Sequence, residues 1–74
     1  MAYKVSVVIE KDENGYYAYC PQLAGCHSQG DTFEQVAEHI EEAIALYLET
    51  LSAEEKQACL SRQVFTSSVE VEVA

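Results

Sequence analysis

Apolar and polar residues alternate through the first strand-like run. Tyr3, Val5, Val7 and Ile9 share one face, and Lys4, Ser6 and Glu10 share the other. A period of two rich in β-branched residues predicts a half-buried strand over residues 3–11. Val8 interrupts the polar face, so that face is expected to be partly covered. Asp12, Glu13, Asn14 and Gly15 follow, and Asn-Gly between two strand-like runs signals a hairpin because both residues tolerate positive φ. Tyr16 to Cys20 is the return strand. The pattern leaves the pairing register open, and a slip of one residue exchanges inward and outward tyrosines. Pro21 ends this strand by removing a ladder donor. Leu23 and Gly25 suit a compact turn, and Cys26 to Gln29 a short third strand closed by Gly30. Turns so close together predict an antiparallel meander.

From Asp31 the period changes to 3.6. Asp31 or Thr32 is the expected cap, with Glu34 or Gln35 three residues on completing a capping box. Phe33, Val36, Ala37, Ile40, Ala43, Ile44, Tyr47, Leu48 and Leu51 fall within an arc of ~140°, the width of a helix lying on a sheet. Glu34, Glu38, Glu41, Glu42 and Glu49 lie outside it, and so does Leu46. Ser52 and Glu55 make a second capping box that opens a short helix over residues 53–60. Ala58, Cys59 and Leu60 are expected under the sheet's edge. The last segment returns to period two, with Val69, Val71 and Val73 inward and Glu70 and Glu72 outward. Val64 and Phe65 begin the same expected strand, broken at Ser67 and Ser68. A right-handed crossover through the long helix permits this strand to run parallel to a meander strand. The expected architecture is α+β, β-β-β-α-β, one small sheet with the main helix on one face. The other face, with Lys4, Ser6, Val8 and Glu10, suits a second copy.

Length and charge narrow the function. Seventy-four residues leave room for one domain, 1–74. Thirteen Asp and Glu against four Lys and Arg give a net charge of −9. Nucleic acid binding rests on Lys and Arg neutralising phosphates, so neither nucleic acid nor an anionic membrane is an expected partner. A basic protein is, because opposite potentials steer association. No apolar stretch approaches the ~20 residues of a spanning helix, and no charged-then-apolar leader precedes the first strand. The expected location is cytoplasmic. A chain this small buries only ~60% of its unfolded surface, and self-association adds to what it buries.

Chemistry is sparse. Cys20, Cys26 and Cys59 are an odd number, expected as reduced thiols packed like small apolar residues. A metal or small-molecule site from Cys20, Cys26 and His27 is the alternative reading, although their spacing matches no familiar zinc pattern. Cys26 or Ser28 with His27 makes a poor nucleophilic pair, since adjacent strand residues point to opposite faces. The glycines at 15, 25 and 30 are spaced like turns and not like a phosphate loop. The helix carboxylates read as a solvated face, and His39, among Glu38, Glu41 and Glu42, as a surface titrator. Tyr16, Tyr17 and Tyr19 lack the basic groove that accompanies a base-stacking platform, which leaves core and contact roles. No catalytic, cofactor or metal residue is expected, and the chain reads as non-enzymatic.

The run Gly15-Tyr16-Tyr17-Ala18-Tyr19-Cys20-Pro21, then Leu23, Gly25, Cys26, Ser28, Gly30, Asp31, Thr32 and Glu34, with Ile40, Glu42 and Ala43 beyond, closely resembles HicB-like antitoxins. The resemblance covers residues 3–51, and its most specific part runs from Pro21 to Thr32. Gln22 replaces a usual acid, Ala24 a usual Pro and Val36 a usual Ala. The resemblance implies a truncated ribonuclease H-like fold. It implies binding of a basic HicA-like ribonuclease toxin that cleaves mRNA, with occlusion of its active site and RNA surface, and a homodimer or higher homo-oligomer. Many such proteins carry a C-terminal DNA-binding module. Only about twenty residues, acidic overall and lacking a basic patch, follow the main helix here, so operator binding is not expected of this chain. Metal-dependent nuclease activity is not expected either, because Val5 to Ile9 lacks the carboxylates it uses. The partner-contact candidates are Tyr17, Tyr19, Leu46, Glu38, Glu42 and Glu49. A self-assembling structural domain without a toxin is the remaining alternative.

Overall fold

A computed structural model describes residues 3–74. Strands β1 (Val8–Asp12), β2 (Gly15–Tyr19) and β3 (His27–Gly30) form one antiparallel sheet in the order β1-β2-β3, and helices α1 (Phe33–Glu49) and α2 (Ala53–Leu60) follow. The hairpin pairs Asp12 with Gly15 and Val8 with Tyr19. Its loop is therefore Glu13-Asn14, one residue earlier than the expected Asn-Gly pair. The Asp12 Oδ1 accepts from the Asn14 N–H at 2.8 Å, a side-chain mimic of a backbone turn. Gly15 takes the positive φ of 129°, and no other residue type does so among the described residues. This register sends Tyr16 and Ala18 toward the helix and leaves Tyr17 exposed on the other face.

The first strand is shorter than its alternation predicts. Val8 opposite Tyr19 is the last pair, because β2 turns away at Cys20 and Pro21. The Leu23 N–H donates to the Cys20 carbonyl at 3.2 Å and the Cys26 N–H to the Leu23 carbonyl at 3.0 Å. The Cys20 N–H then donates to the Cys26 carbonyl at 3.0 Å, which starts the β2–β3 ladder. Residues 3–7 are left with no strand beside them among the described residues. One bond replaces the ladder: the Ser6 N–H donates to the Gln22 Oε1 at 2.8 Å. The buried Gln22 donates through Nε2 to the Arg62 carbonyl at 2.9 Å, and the Arg62 guanidinium donates to the Pro21 carbonyl. An amide serves both directions at once. A carboxylate, acceptor only when ionised, does not, so Gln22 suits this place where the resemblance leads one to expect an acid.

Thr32 is the α1 cap, with Oγ1 accepting from the Gln35 N–H at 3.1 Å. The Gln35 Oε1 reaches back to the Asp31 N–H at 2.9 Å, so both candidate cap residues are used. Val36, Ile40 and Ile44 are the buried stripe, and they close a core with Ala18, Cys20, Leu23 and Cys26. Gly30 sets how closely α1 approaches: a Cβ there would lie 2.8 Å from the Val36 nitrogen and 3.0 Å from the Gln35 Cβ. Phe33, on the predicted apolar arc, is 52% exposed. It stands at the rim, edge-on to Tyr16 with ring centres 6.2 Å apart. The Ser52–Glu55 capping box is complete. Cys59 and Leu60 pack half-buried against the core, whereas Ala58 is exposed.

The expected last strand does not form. Beyond α2 the chain has no further helix or strand, and Val69, Val71 and Val73 are 78%, 72% and 89% exposed. The order is β-β-β-α-α rather than β-β-β-α-β. Alternation gives a strand two faces but no hydrogen-bond partner. The ladder must come from a neighbour, and the chain leaves Arg62 without meeting one. The extended segment shows in the radius of gyration, 14.4 Å, against ~11 Å for a compact chain of this length.

Two outcomes follow. Gly30→Ala lowers the free energy of unfolding by about 1–3 kcal/mol, the cost of overpacking against backbone, read by denaturant titration. Glu55 is held below its usual carboxylate range by the hydrogen bonds from Ser52. A lowered folded pKa stabilises the capped state above the unfolded value and loses that contribution as pH falls through the folded one. The Cα shifts of residues 53–56 should therefore drift toward coil values on acidification below the ordinary 4.5. Glu55→Gln should remove the drift.

Candidate functional site

On α1, Glu38, Glu42, Leu46 and Glu49 recur at intervals of four, four and three residues, which at helical spacing places them within ~80° of arc. All four are exposed, Leu46 to 64%, and they lie on the far side of α1 from Val36, Ile40 and Ile44. No lysine or arginine interrupts the helix. Glu34 and Glu41 are exposed alongside. The result is an acidic face with one large apolar side chain in it. Single exposed leucines are ordinary. The distinguishing feature is the carboxylates at one and two turns around this one.

The second surface is the sheet face turned away from α1. Tyr17, 41% exposed, stacks on His27 with ring centres 5.8 Å apart and an interplanar angle of 29°. Tyr19, paired with His27 across the ladder, lies 6.0 Å from Tyr17. The register produces this row, pairing Tyr19 with His27 and Tyr17 with Gln29. Val8 and Glu10 complete the face from β1, opposite Tyr19 and Tyr17. The sequence-predicted contact residues thus divide into two surfaces on opposite sides of the molecule: Tyr17 and Tyr19 on the sheet, the other four on the helix. His27 joins the first as an aromatic neighbour. Its part was hidden in the sequence because it depends on the β2–β3 pairing.

The Cys20, Cys26 and His27 grouping comes apart. Both thiols enter the core while His27 is exposed on the opposite face, as strand alternation requires. Burial first, and the neighbouring Cys20 second, push the Cys26 thiol above its ordinary 9.0, away from the thiolate that metals and electrophiles need. No set of three or more His, Cys, Asp or Glu side chains among the described residues is placed to hold a metal. His39 is exposed as expected, and its Nδ1–H donates to the Gln29 carbonyl at 2.8 Å, pinning α1 to β3. It borders an open polar hollow of about 780 Å3 beside the hairpin, with Asp31, Gln35 and Tyr17 also lining it. No described helix is long and apolar enough to cross a membrane.

The chain is 43% identical over 70 residues to a UPF0150 protein from Helicobacter pylori, covering 95% of this chain and 97% of that one. It is 57% identical over 53 residues to a UPF0150 protein from Synechocystis sp., covering 70% and 67% respectively. A UPF0150 protein from Archaeoglobus fulgidus is 51% identical over 47 residues, 62% of this chain and 68% of that one. No solved structure matches significantly. The profile of the HicB-like antitoxin of bacterial toxin-antitoxin system matches residues 4–72. With the Pro21-to-Thr32 turn, the three-stranded meander and the capped α1 all inside that span, the chain belongs to the HicB-like antitoxin family.

Proposed function

We propose that this chain neutralises a HicA-type, mRNA-cleaving toxin by covering its active site and RNA surface, and that the exposed side of α1 makes the contact. The observation that carries this reading is Leu46 standing among Glu38, Glu42 and Glu49 on a helix free of lysine and arginine. A surface that grips RNA is cationic, since phosphates must be neutralised. An acidic helix meets such a surface with opposite potential and speeds encounter. A central apolar side chain, ringed by groups that exclude water, supplies affinity once docked. Occlusion asks no chemistry of the antitoxin, consistent with a non-enzymatic role. In this reading the chain acts in the cytoplasm as a homodimer or higher homo-oligomer.

Tyr17 and Tyr19 offer a second contact surface, favoured by their stacking with His27. Tyrosine is common at interfaces, being apolar in body and polar at the tip. That face is nearly neutral, however, and has less to offer a cationic groove.

The test uses a HicA-type toxin, with RNA cleavage and binding kinetics as readouts. Wild type should suppress cleavage. Leu46→Asp should weaken binding about 30-fold, the range of a central hot spot. Reversing Glu38, Glu42 and Glu49 to Lys should slow association about tenfold or more and flatten its salt dependence. Tyr17→Ala with Tyr19→Ala should change affinity by less than about threefold, as peripheral residues do. The opposite pattern moves the contact to the sheet, and a wild-type chain that leaves cleavage untouched ends the antitoxin reading.

A further inference from the structure

The edge of the sheet and the C-terminal segment are unfinished in complementary ways. Among the described residues β1 has a strand on one side only. Tyr3, Val5 and Val7 face the same groove as Ile9 of β1, and an unpaired edge is a template for another strand. Tyr3, Val5, Val7, Ile40, Ile44 and Leu48 line an open groove of about 510 Å3 between that edge and α1. Val69, Val71 and Val73 are exposed, with Glu70 and Glu72, also exposed, between them, and in a strand the three valines would share one face. We infer that two copies of this chain exchange C-terminal segments, with Val69 to Val73 of one copy lying as a strand along Tyr3 to Ile9 of the other and its valines filling the groove.

Length, charge and tether support this occupant. Val69 to Val73 and Val5 to Ile9 are both five-residue stretches, ~17 Å each at ~3.3 Å per residue. With the valines turned into the groove, Glu70 and Glu72 emerge on the Lys4 face of the edge, where opposite charges across strands attract. Lys56 lies at the same end, its Nζ 5.6 Å from the Tyr3 ring centre. Lys4 and Lys56 are two of only four Lys and Arg in the chain. β3, the other edge, carries no lysine or arginine.

A straight run from the tether misses the chain's own edge. Gln22 bonds to both Ser6 and the Arg62 carbonyl, so residue 62 lies beside residue 6. A segment running from there along its own β1 advances one residue per residue and reaches the hairpin loop by Val69. The three valines then overshoot the edge. In the reverse direction only Tyr3 to Val5 remain among the described residues. A second copy offers the whole edge, and two-fold symmetry makes the exchange reciprocal. This inference supplies the geometry for the self-association proposed above and does not depend on toxin binding.

Sedimentation equilibrium and methyl spectroscopy on the full chain test it. The full chain should dimerise. Changing Val69, Val71 and Val73 together to Glu should weaken the dimer by about 100-fold or more, because carboxylates do not enter an apolar groove unpaired. Those residues are solvated in the single copy, so the hairpin and α1 chemical shifts should persist. In a sample mixing isotope-labelled and unlabelled copies, tail valine methyls should show contacts to Val7 and Ile44 methyls of the other copy. Contacts confined to one copy, or a dimer indifferent to the three substitutions, overturn the exchange while leaving self-association in place. A monomeric full chain overturns both.

Discussion

The close approach of α1 to the end of β3 is the constraint from which the rest of the molecule follows. Gly30 leaves room where any Cβ would press on the Val36 nitrogen, and Thr32 starts the helix two residues later. Together they aim Val36, Ile40 and Ile44 at Ala18, Cys20 and Cys26. The buried apolar core has only seven members among the described residues, so no large reserve of burial compensates for a displaced helix. Once the stripe is seated, the acidic side of α1 is necessarily turned outward. The inward seam and the outward acidic face are therefore one decision.

A second, polar constraint governs the ends of the chain. Gln22 is buried and bonded in both directions, to Ser6 and to the Arg62 carbonyl. A buried amide left unpaired would cost stability, so both partners are held. This one side chain brings the approach to β1 and the exit from α2 to the same place. It also decides where the acidic C-terminal segment begins, and hence which edge that segment can reach.

The thiols and the histidines illustrate how placement decides chemistry. Cys20 and Cys26 serve as small core residues, and burial suppresses ionisation of Cys26. His27, adjacent in sequence, stacks on Tyr17 in solvent, and His39 spends its Nδ1–H on a backbone carbonyl. Potential reactive groups are thus dispersed over opposite faces of the sheet and along α1.

Local pattern was sufficient for the parts of this protein whose partners lie close in sequence. The meander, the Thr32 cap, the Ser52–Glu55 box and the apolar stripe of α1 are all readable, because period and capping chemistry act within a few residues. The exposed row of Glu38, Glu42, Leu46 and Glu49 follows from the same helical spacing. Tertiary structure decided what depends on distant neighbours. Residues 3–7 alternate like a strand, yet their ladder partner turns away at Pro21. Val69 to Val73 alternate equally well and find no strand beside them among the described residues. Tyr17 gains His27 as a neighbour only through the β2–β3 register. Alternation specifies which side chains can share a face. Backbone hydrogen bonding across space decides whether a face exists.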